Sequence, residues 1–352
     1  MNEYTVIGVV VAAFIAAGVL SYFFTPPVKR FAHKVGAIDV PKDNRRMHKE
    51  PIPRLGGLAI FGGFLCSILV FGQLDQTMLC VLLGATIIVA LGIFDDVLAL
   101  GAKLKFVVQI IAAAIPVCVG GLQIRLFTNL NPFSDSPFWH LGFLAVPVTI
   151  IWIVGITNAV NLIDGLDGLA VGVSSIASIT MAALTGACIG FMPYNLNPAK
   201  IFMGDTGSTF LGYMLATVSI MGLFKFYAVI SFAVPFLILG LPIFDTANAI
   251  IRRLAEGRSP MSPDRGHVHH KLIDMGFNQK QAVAILYAIS ATLGLTAVVL
   301  TSSGEVKAVV LLAAVLAAIL VGACIIYGAE HWGKQQNKNS NQAAQEEKNK
   351  HE

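Results

Sequence analysis

The chain is poor in charge. Only 12% of its 352 residues are Asp, Glu, Lys or Arg, against roughly 25% in a soluble domain. Apolar residues make up 56%, and the mean hydropathy is +0.74; together these exclude an ordinary soluble fold. Cysteine is scarce as well. Cys66, Cys80, Cys118, Cys188 and Cys324 all lie inside or at the edge of apolar runs, and none forms a CxxC pair. That argues against a disulfide framework or a cysteine zinc site and leaves small buried hydrophobes. The N-terminus, MNEYTVIGVVVAAFIAAGVLSYFF, lacks the basic stretch of a signal peptide, and its apolar run is too long for one. It reads as an uncleaved first span. No internal repeat is evident. The chain therefore divides into one transmembrane domain, residues 1–330, and a polar tail, 331–352, which has nothing to bury and is expected to be disordered.

What the sequence does have is apolar runs of spanning length, roughly 17–25 residues each. They fall near 4–24, 55–72, 78–94, 104–120, 141–158, 207–224, 227–251, 281–300 and 306–328. Pro116, Pro147, Pro235 and Pro242 lie within them and are tolerable where neighbouring helices satisfy the freed carbonyls. The basic residues are segregated. The connection from Thr25 to Arg54 holds eight Lys or Arg, QLDQT holds none, DDVLALGAKLK holds two, and residues 121–140 hold only Arg125. The late stretch RRLAEGRSPMSPDRGHVHHK holds five. The positive-inside rule places the first, third and last of these in the cytoplasm and the N-terminus outside. Parity then requires residues 167–204 to cross twice or not at all. Two short or tilted crossings are expected, with a turn at Leu184-Thr185-Gly186 and Lys200 snorkelling to the surface. The fold class is all-α, a polytopic helical membrane protein of about 10–11 transmembrane helices, with its active site on the cytoplasmic face.

Four polar clusters interrupt the apolar sequence. In NAVNLIDGLDGLA, Asn158, Asn161, Asp164 and Asp167 recur every third residue. On a helix they would form one polar face, successive members about 60° apart. Such a face needs water, a metal, a substrate or another helix as partner. In GIFDDVLALGAKLK, the adjacent acids Asp95 and Asp96 precede Lys103 and Lys105. They are either solvated helix-end charges or a pair relieved by a cation. In NPAKIFMGDTGSTFLG, Asp205 opens a span, as a helix cap or beside a phosphate held at the helix N-terminus. The fourth cluster sets His267, His269 and His270 among Arg252, Arg253, Arg258 and Arg265. Those cations favour an anionic ligand such as a diphosphate over zinc, the plainer alternative being a basic loop near anionic lipid. Carboxylates suited to Mg²⁺ and cations suited to phosphate, on one membrane face, point to phosphoryl transfer at a membrane surface.

FDDVLALGAKLK, NAVNLIDGLDGLA, NPAKIFMGDTGS, FDTANAIIRR and SPDRGHVHHKLIDMGF, with DVPKDNRRMHKEPIPRLGG before them, resemble the polyprenyl-phosphate N-acetylhexosamine-1-phosphate transferases over residues 25–300. The resemblance implies transfer of a sugar-1-phosphate from a UDP-sugar to undecaprenyl phosphate, with release of UMP and use of Mg²⁺, or Mn²⁺ in its place. PDRGHVHHKL is similar to the UDP-GlcNAc branch, which primes teichoic acids, O-antigens and related polymers. The branch that uses UDP-N-acetylmuramoyl-pentapeptide carries three consecutive histidines followed by an acid. By this resemblance Asp205 is the metal aspartate, while Asp95, Asp96, Asp164 and His269 are catalytic. Lys103, Lys105, Asn161, Asp167, Arg265, His267 and His270 bind substrate. The implied location is the bacterial plasma membrane and the implied partners are UDP-GlcNAc, undecaprenyl phosphate and a second copy of the chain, with no nucleic acid. The segment between Asp167 and Asp205 is shorter than the family's two full crossings, which makes the placement of Asp205 the point most in need of a structure. A secondary transporter is the rival of a different class; it would hold its ionisable groups near the bilayer midplane at a repeat interface.

Overall fold

The computed structural model describes residues 2–41, 50–128, 138–178, 181–223, 233–259 and 266–302. The expected span at 306–328, the tail and Arg265 lie outside the described residues. The first helix, α1 (Glu3–Val35), is capped at its start by the Asn2 side chain and ends at Gly36 with φ 74°. A short antiparallel ladder, β1 (Ile38–Asp39) with β2 (Ile52–Pro53), leads into α2 (Gly57–Phe71) and α3 (Gln76–Leu98). Helix α4 (Ala102–Ala114) continues as a π turn, Ile115–Val119. Pro116 explains the turn, because it has no N–H to give the Ala112 carbonyl. The Tyr213 hydroxyl from another helix lies 3.5 Å from that carbonyl instead. A second small ladder, β3 (Leu126–Thr128) with β4 (Phe138–His140), precedes α5 (Ala145–Ile163). Then come α6 (Leu169–Ala177), α7 (Ala182–Asn195) and α8 (Gly204–Leu223). The described residues end with α9 (Ala233–Ile238), α10 (Gly240–Ala255), α11 (Val268–Asp274) and α12 (Gln279–Ser302).

The architecture is all-α apart from the two small ladders, and it is that of a multi-pass membrane protein. Among the described residues, five helical stretches are long and apolar enough to cross a bilayer: Tyr4–Val35, Gln76–Leu98, Ala102–Val119, Gly142–Ile163 and Gln279–Val299. Their outward faces are apolar, as Ile7, Val11, Ile15 and Val19 of α1 illustrate, which is the surface hydrocarbon requires. Helix α8 behaves differently. Residues 206–217 are all buried, Thr206, Ser208, Thr209 and Thr217 included. The expected span at 207–224 is thus the central helix of the bundle. Its N-terminus fits a slot cut by glycines: a Cβ on Gly57 of α2 would come within 2.2 Å of Gly207, and one on Gly92 of α3 within 2.3 Å of Thr206.

The segment of uncertain crossing is a helical hairpin. At its base Asp167 Oδ2 accepts hydrogen bonds from Asn197 Nδ2 and from the Ala199 amide, both at 3.0 Å. At its far end Thr185 Oγ1 donates to the Ser178 carbonyl at 2.6 Å. The chain therefore runs out and back, returning to the end of the bundle it left. The expected turn at Leu184-Thr185-Gly186 is misplaced: those residues lie inside α7. At 1.5 Å per residue the two arms are roughly 13 and 21 Å long, shorter than the roughly 30 Å of a hydrocarbon core. The expected span at 227–251 is also not one helix where it is described. It breaks at Leu239, between α9 and α10. Helix α10 buries Asp245 and Arg253 while exposing Phe244, Ile251 and Leu254.

Candidate functional site

The site is built on the N-terminus of α8. A helix start leaves backbone N–H groups without intrahelical partners, and here a neighbouring helix satisfies them. Asp96, near the end of α3, accepts from the amides of Asp205 and Thr206, each at 3.0 Å, and from Thr206 Oγ1 at 2.7 Å. Its side chain is fully buried. The amides that could have held a phosphate are therefore spent on a carboxylate from α3. The GDTGS segment is a capped helix start, and the cap comes from Asp96.

Asp95 is adjacent in sequence but faces different partners. Its Oδ1 accepts from the Leu100 amide at 2.8 Å, and its Oδ2 lies 2.8 Å from Lys105 Nζ. The same ammonium reaches Asp205 Oδ2 at 3.0 Å. Lys105 thus bridges two carboxylates, from α3 and α8, that would otherwise repel. Lys103 is two residues away, about 200° around α4, and is exposed outside this cluster.

The asparagine–aspartate stretch divides where its helix stops. Helix α5 ends at Ile163, and residues 164–168 form a turn that Gly168 completes at φ 79°. The four residues are therefore not one helical face. Asn158 donates to Gln109 Oε1 at 2.7 Å, an interhelical seam, and Asp167 closes the hairpin. Asn161 donates to Ser208 Oγ at 2.7 Å, beside the α8 start. Asp164 lies in the field of the other acids. Burial, then the charges of Asp205, Asp96 and Asp167, push its carboxyl up to about 8.

The histidine segment closes on this turn. His269 is buried, and a Cβ on Gly165 would lie 2.2 Å from its Nε2. That nitrogen has no hydrogen-bond partner. Burial and the neighbouring His270 push the ring down to about 3, so His269 is a neutral imidazole at pH 7. His269 packs against His270 at 4.3 Å between ring centroids and stacks parallel to His267 at 5.8 Å. His267 Nδ1 in turn lies 2.8 Å from Asp245 Oδ2.

Sequence reasoning passed over several residues that meet here. Thr206 and Ser208 carried no distinguishing signal beyond their place in GDTGS. Arg54, in PIPRLGG, donates to Asp39 Oδ1 at 2.8 Å and approaches Asp96 Oδ1 at 3.9 Å. Asp245 was visible as a lone acid in an apolar run. Among the described residues no three His, Cys, Asp or Glu side chains are arranged as a metal cage. The donor set nevertheless suits Mg²⁺, which binds through one or two carboxylates plus substrate phosphate. Asp95 and Asp205 already share one cation, the Lys105 ammonium.

The sequence profile of the Glycosyl transferase family 4 matches residues 78–223, from the start of α3 to the end of α8. A probable undecaprenyl-phosphate N-acetylglucosaminyl 1-phosphate transferase of Bacillus subtilis (strain 168) is 43% identical over 311 residues, 84% of this chain and 86% of the relative. A decaprenyl-phosphate N-acetylglucosaminephosphotransferase of Mycobacterium tuberculosis (strain ATCC 25618 / H37Rv) is 31% identical over 320 residues, 78% of each chain. The undecaprenyl-phosphate alpha-N-acetylglucosaminyl 1-phosphate transferase of Escherichia coli O157:H7 is 29% identical over 349 residues, 92% of each. The chain belongs to the polyprenyl-phosphate N-acetylhexosamine-1-phosphate transferases. Motifs in which the sequence resembles this family meet at one end of the bundle: the end of α3, the turn after α5, the start of α8 and the segment around α11. The transferase profile stops at Leu223, so the histidine segment and its anchor on α10 lie beyond it.

Proposed function

We propose that the chain transfers GlcNAc-1-phosphate from UDP-GlcNAc to undecaprenyl phosphate, giving undecaprenyl-diphospho-GlcNAc and UMP, as the first membrane step of a cell-surface polymer. The observation that carries this reading is the meeting of Asp95, Asp96, Asp164, Asp205 and Lys105 with the histidine segment. The names of the relatives point to the same chemistry and to N-acetylglucosamine. In this proposal the site faces the cytoplasm of a bacterial plasma membrane, the N-terminus lies outside, about 10–11 helices cross the bilayer and the chain assembles as a homodimer. The α6–α7 hairpin supports the crossing parity, since it returns Asp205 to the end where Asp95 and Asp164 sit.

The acceptor phosphate is a monoester whose second pKa is near ~6, so it is largely dianionic at pH 7. A phosphate oxygen forms the new bond to the β-phosphorus, and the β-phosphorus–oxygen bond to UMP breaks. No strong base is needed; the demand is to hold anions together. Lys105 receives the lipid phosphate, and Asp95 orients Lys105. Asp96 holds the α8 start and so fixes Asp205. The histidine segment covers the nucleotide, with Asn161, Asp164 and Asp167 framing the floor. Asp205, with Asp95 facing it, would hold Mg²⁺, which when bound offsets diphosphate charge and stabilises the departing UMP. A transporter is disfavoured because Asp95, Asp96, Lys105, Asp164 and Asp205 gather at helix ends and not at mid-helix. The test is purified protein with UDP-GlcNAc, undecaprenyl phosphate and Mg²⁺, read as UMP. Release requiring all three is expected, and none under any condition would remove the reading.

A further inference from the structure

The histidine segment is held by α10 through two polar anchors. Asp245 Oδ2 lies 2.8 Å from His267 Nδ1, and Asp245 Oδ1 accepts from the Val268 amide at 2.8 Å. Two turns later Arg252 Nη1 donates to the Gly266 carbonyl at 3.0 Å. Seven residues bring both anchors to nearly the same side of α10. Gly266 makes the second contact feasible, since a Cβ there would lie 2.0 Å from the Arg252 guanidinium. Three consecutive residues, Gly266, His267 and Val268, are thereby tied to one helix stripe. Asp245 is buried and Arg252 half-buried on a helix that exposes Phe244, Ile251 and Leu254, so the anchors are costly to place there without a use.

We infer that Asp245 and Arg252 are positioning residues that set the histidine segment for the diphosphate of the nucleotide sugar; this rests on the proposed transferase reading. A carboxylate only accepts hydrogen bonds, so Asp245 obliges His267 to carry its proton on Nδ1 and to turn Nε2 toward the ligand. Nε2 is then the ring atom presented to a phosphate oxygen, and it donates to that oxygen when both nitrogens carry a proton. Holding the Val268 amide with the other oxygen fixes the start of α11, on which His269 and His270 ride. Asp245 acts through His267 and touches no substrate.

A double-mutant cycle separates this role from plain structural support. Asp245→Asn keeps the volume but cannot accept both bonds with one oxygen. It should raise the KM for UDP-GlcNAc about 10- to 100-fold, leave the KM for undecaprenyl phosphate within about twofold, and abolish the rise in melting temperature that UDP produces. On a His267→Ala background the same change should add little further loss, because the two residues act as one unit. Additive losses, or equal losses for both substrates, would overturn the inference. Arg252→Met should likewise raise the UDP-GlcNAc KM, and Arg252→Lys should recover most of it. These variants read the second anchor even where Asp245→Asn folds poorly, and an unchanged KM in Arg252→Met would also overturn it. Wild-type protein that neither binds UDP nor releases UMP would instead bring down the transferase reading, and this inference with it.

Discussion

Lys105→Met isolates the bridge at the heart of the site. Methionine keeps the length and apolar stem of the side chain but deletes its charge. Two charge-assisted hydrogen bonds go, at 2.8 Å to Asp95 and 3.0 Å to Asp205. Each such bond contributes about 1.5–3 kcal/mol where water is excluded. The Lys105 side chain is 29% exposed and that of Asp205 is 30%, so screening reduces the combined effect to about 2–4 kcal/mol. The two carboxylates then face each other with no cation, and Lys105 no longer competes with a divalent ion for them. Stability without metal should therefore fall, while Mg²⁺ should raise the melting temperature of the variant by more than it raises that of the wild type. UMP release should drop by about 100-fold or more, in the range seen when a transition-state donor is removed. The assay is a thermal melt against Mg²⁺ concentration beside UMP release at saturating substrates. A variant that turns over normally, or whose response to Mg²⁺ is unchanged, would show that the bridge is neither the phosphate site nor the metal site.

Asp95→Asn should cost turnover with a smaller loss of stability than Asp96→Asn, because Asn keeps the acceptor for the Leu100 amide and relieves the repulsion with Asp205 while the bond to Lys105 weakens. Asp96→Asn should cost both, with about 1.5–3 kcal/mol of stability lost from the α8 start; thermal melts beside UMP release would distinguish the two, and identical behaviour would refute the division of roles. Asp205→Asn should abolish UMP release while the protein still melts cooperatively, and normal turnover would take Asp205 out of the metal role. Asp164 titrates at about 8 when folded against an ordinary 3.8, so the folded state binds its proton more tightly than the unfolded one. Its contribution is present below about pH 4 and is lost as pH rises through about 8. Metal-free Asp164→Asn should therefore gain stability relative to wild type across that window, and a difference between their melts that is flat with pH would contradict the assignment.

Charge and hydrocarbon are sorted by large free energies, so the pattern of basic loops predicted that Asp95, Asp164 and Asp205 share one end of the bundle. They do meet there, and the Asp167–Asn197 contact shows how a short segment achieves it. Helix α8 was read as an ordinary span because hydropathy counts apolar residues and is blind to what surrounds them. Its threonines and serines are tolerated by being central, bonded to their own preceding turns or to Asp96 and Asn161. The break at Leu239 was hidden for a similar reason. Pro235 and Pro242 favour a kink, but only packing decides whether a kinked helix continues or splits. The regular spacing of Asn158, Asn161, Asp164 and Asp167 misled most, since period three implies a helix that Gly165 and Gly168 end after Ile163.

Adjacency in the sequence also hid a division of labour. Asp95 and Asp96 look like one feature, yet neighbouring residues near a helix end point about 100° apart. One reaches the Lys105 bridge, and the other turns into the bundle to cap α8. That difference constrains where phosphate binds. A free helix N-terminus attracts anions through its unpaired amides, but the amides of Asp205 and Thr206 already donate to Asp96. A phosphate placed there would have to displace a buried carboxylate and strand its charge, at a cost of about 3–5 kcal/mol. In the proposed reaction the anionic substrates are therefore held by side-chain cations, and Mg²⁺ would be held by Asp205 and not at the helix start. Lys105 reaches Asp95 and Asp205 from α4, and His269 packs on the Gly165 turn next to Asp164; in the proposed reaction the two phosphates meet among these groups without breaking the cap that holds Asp205.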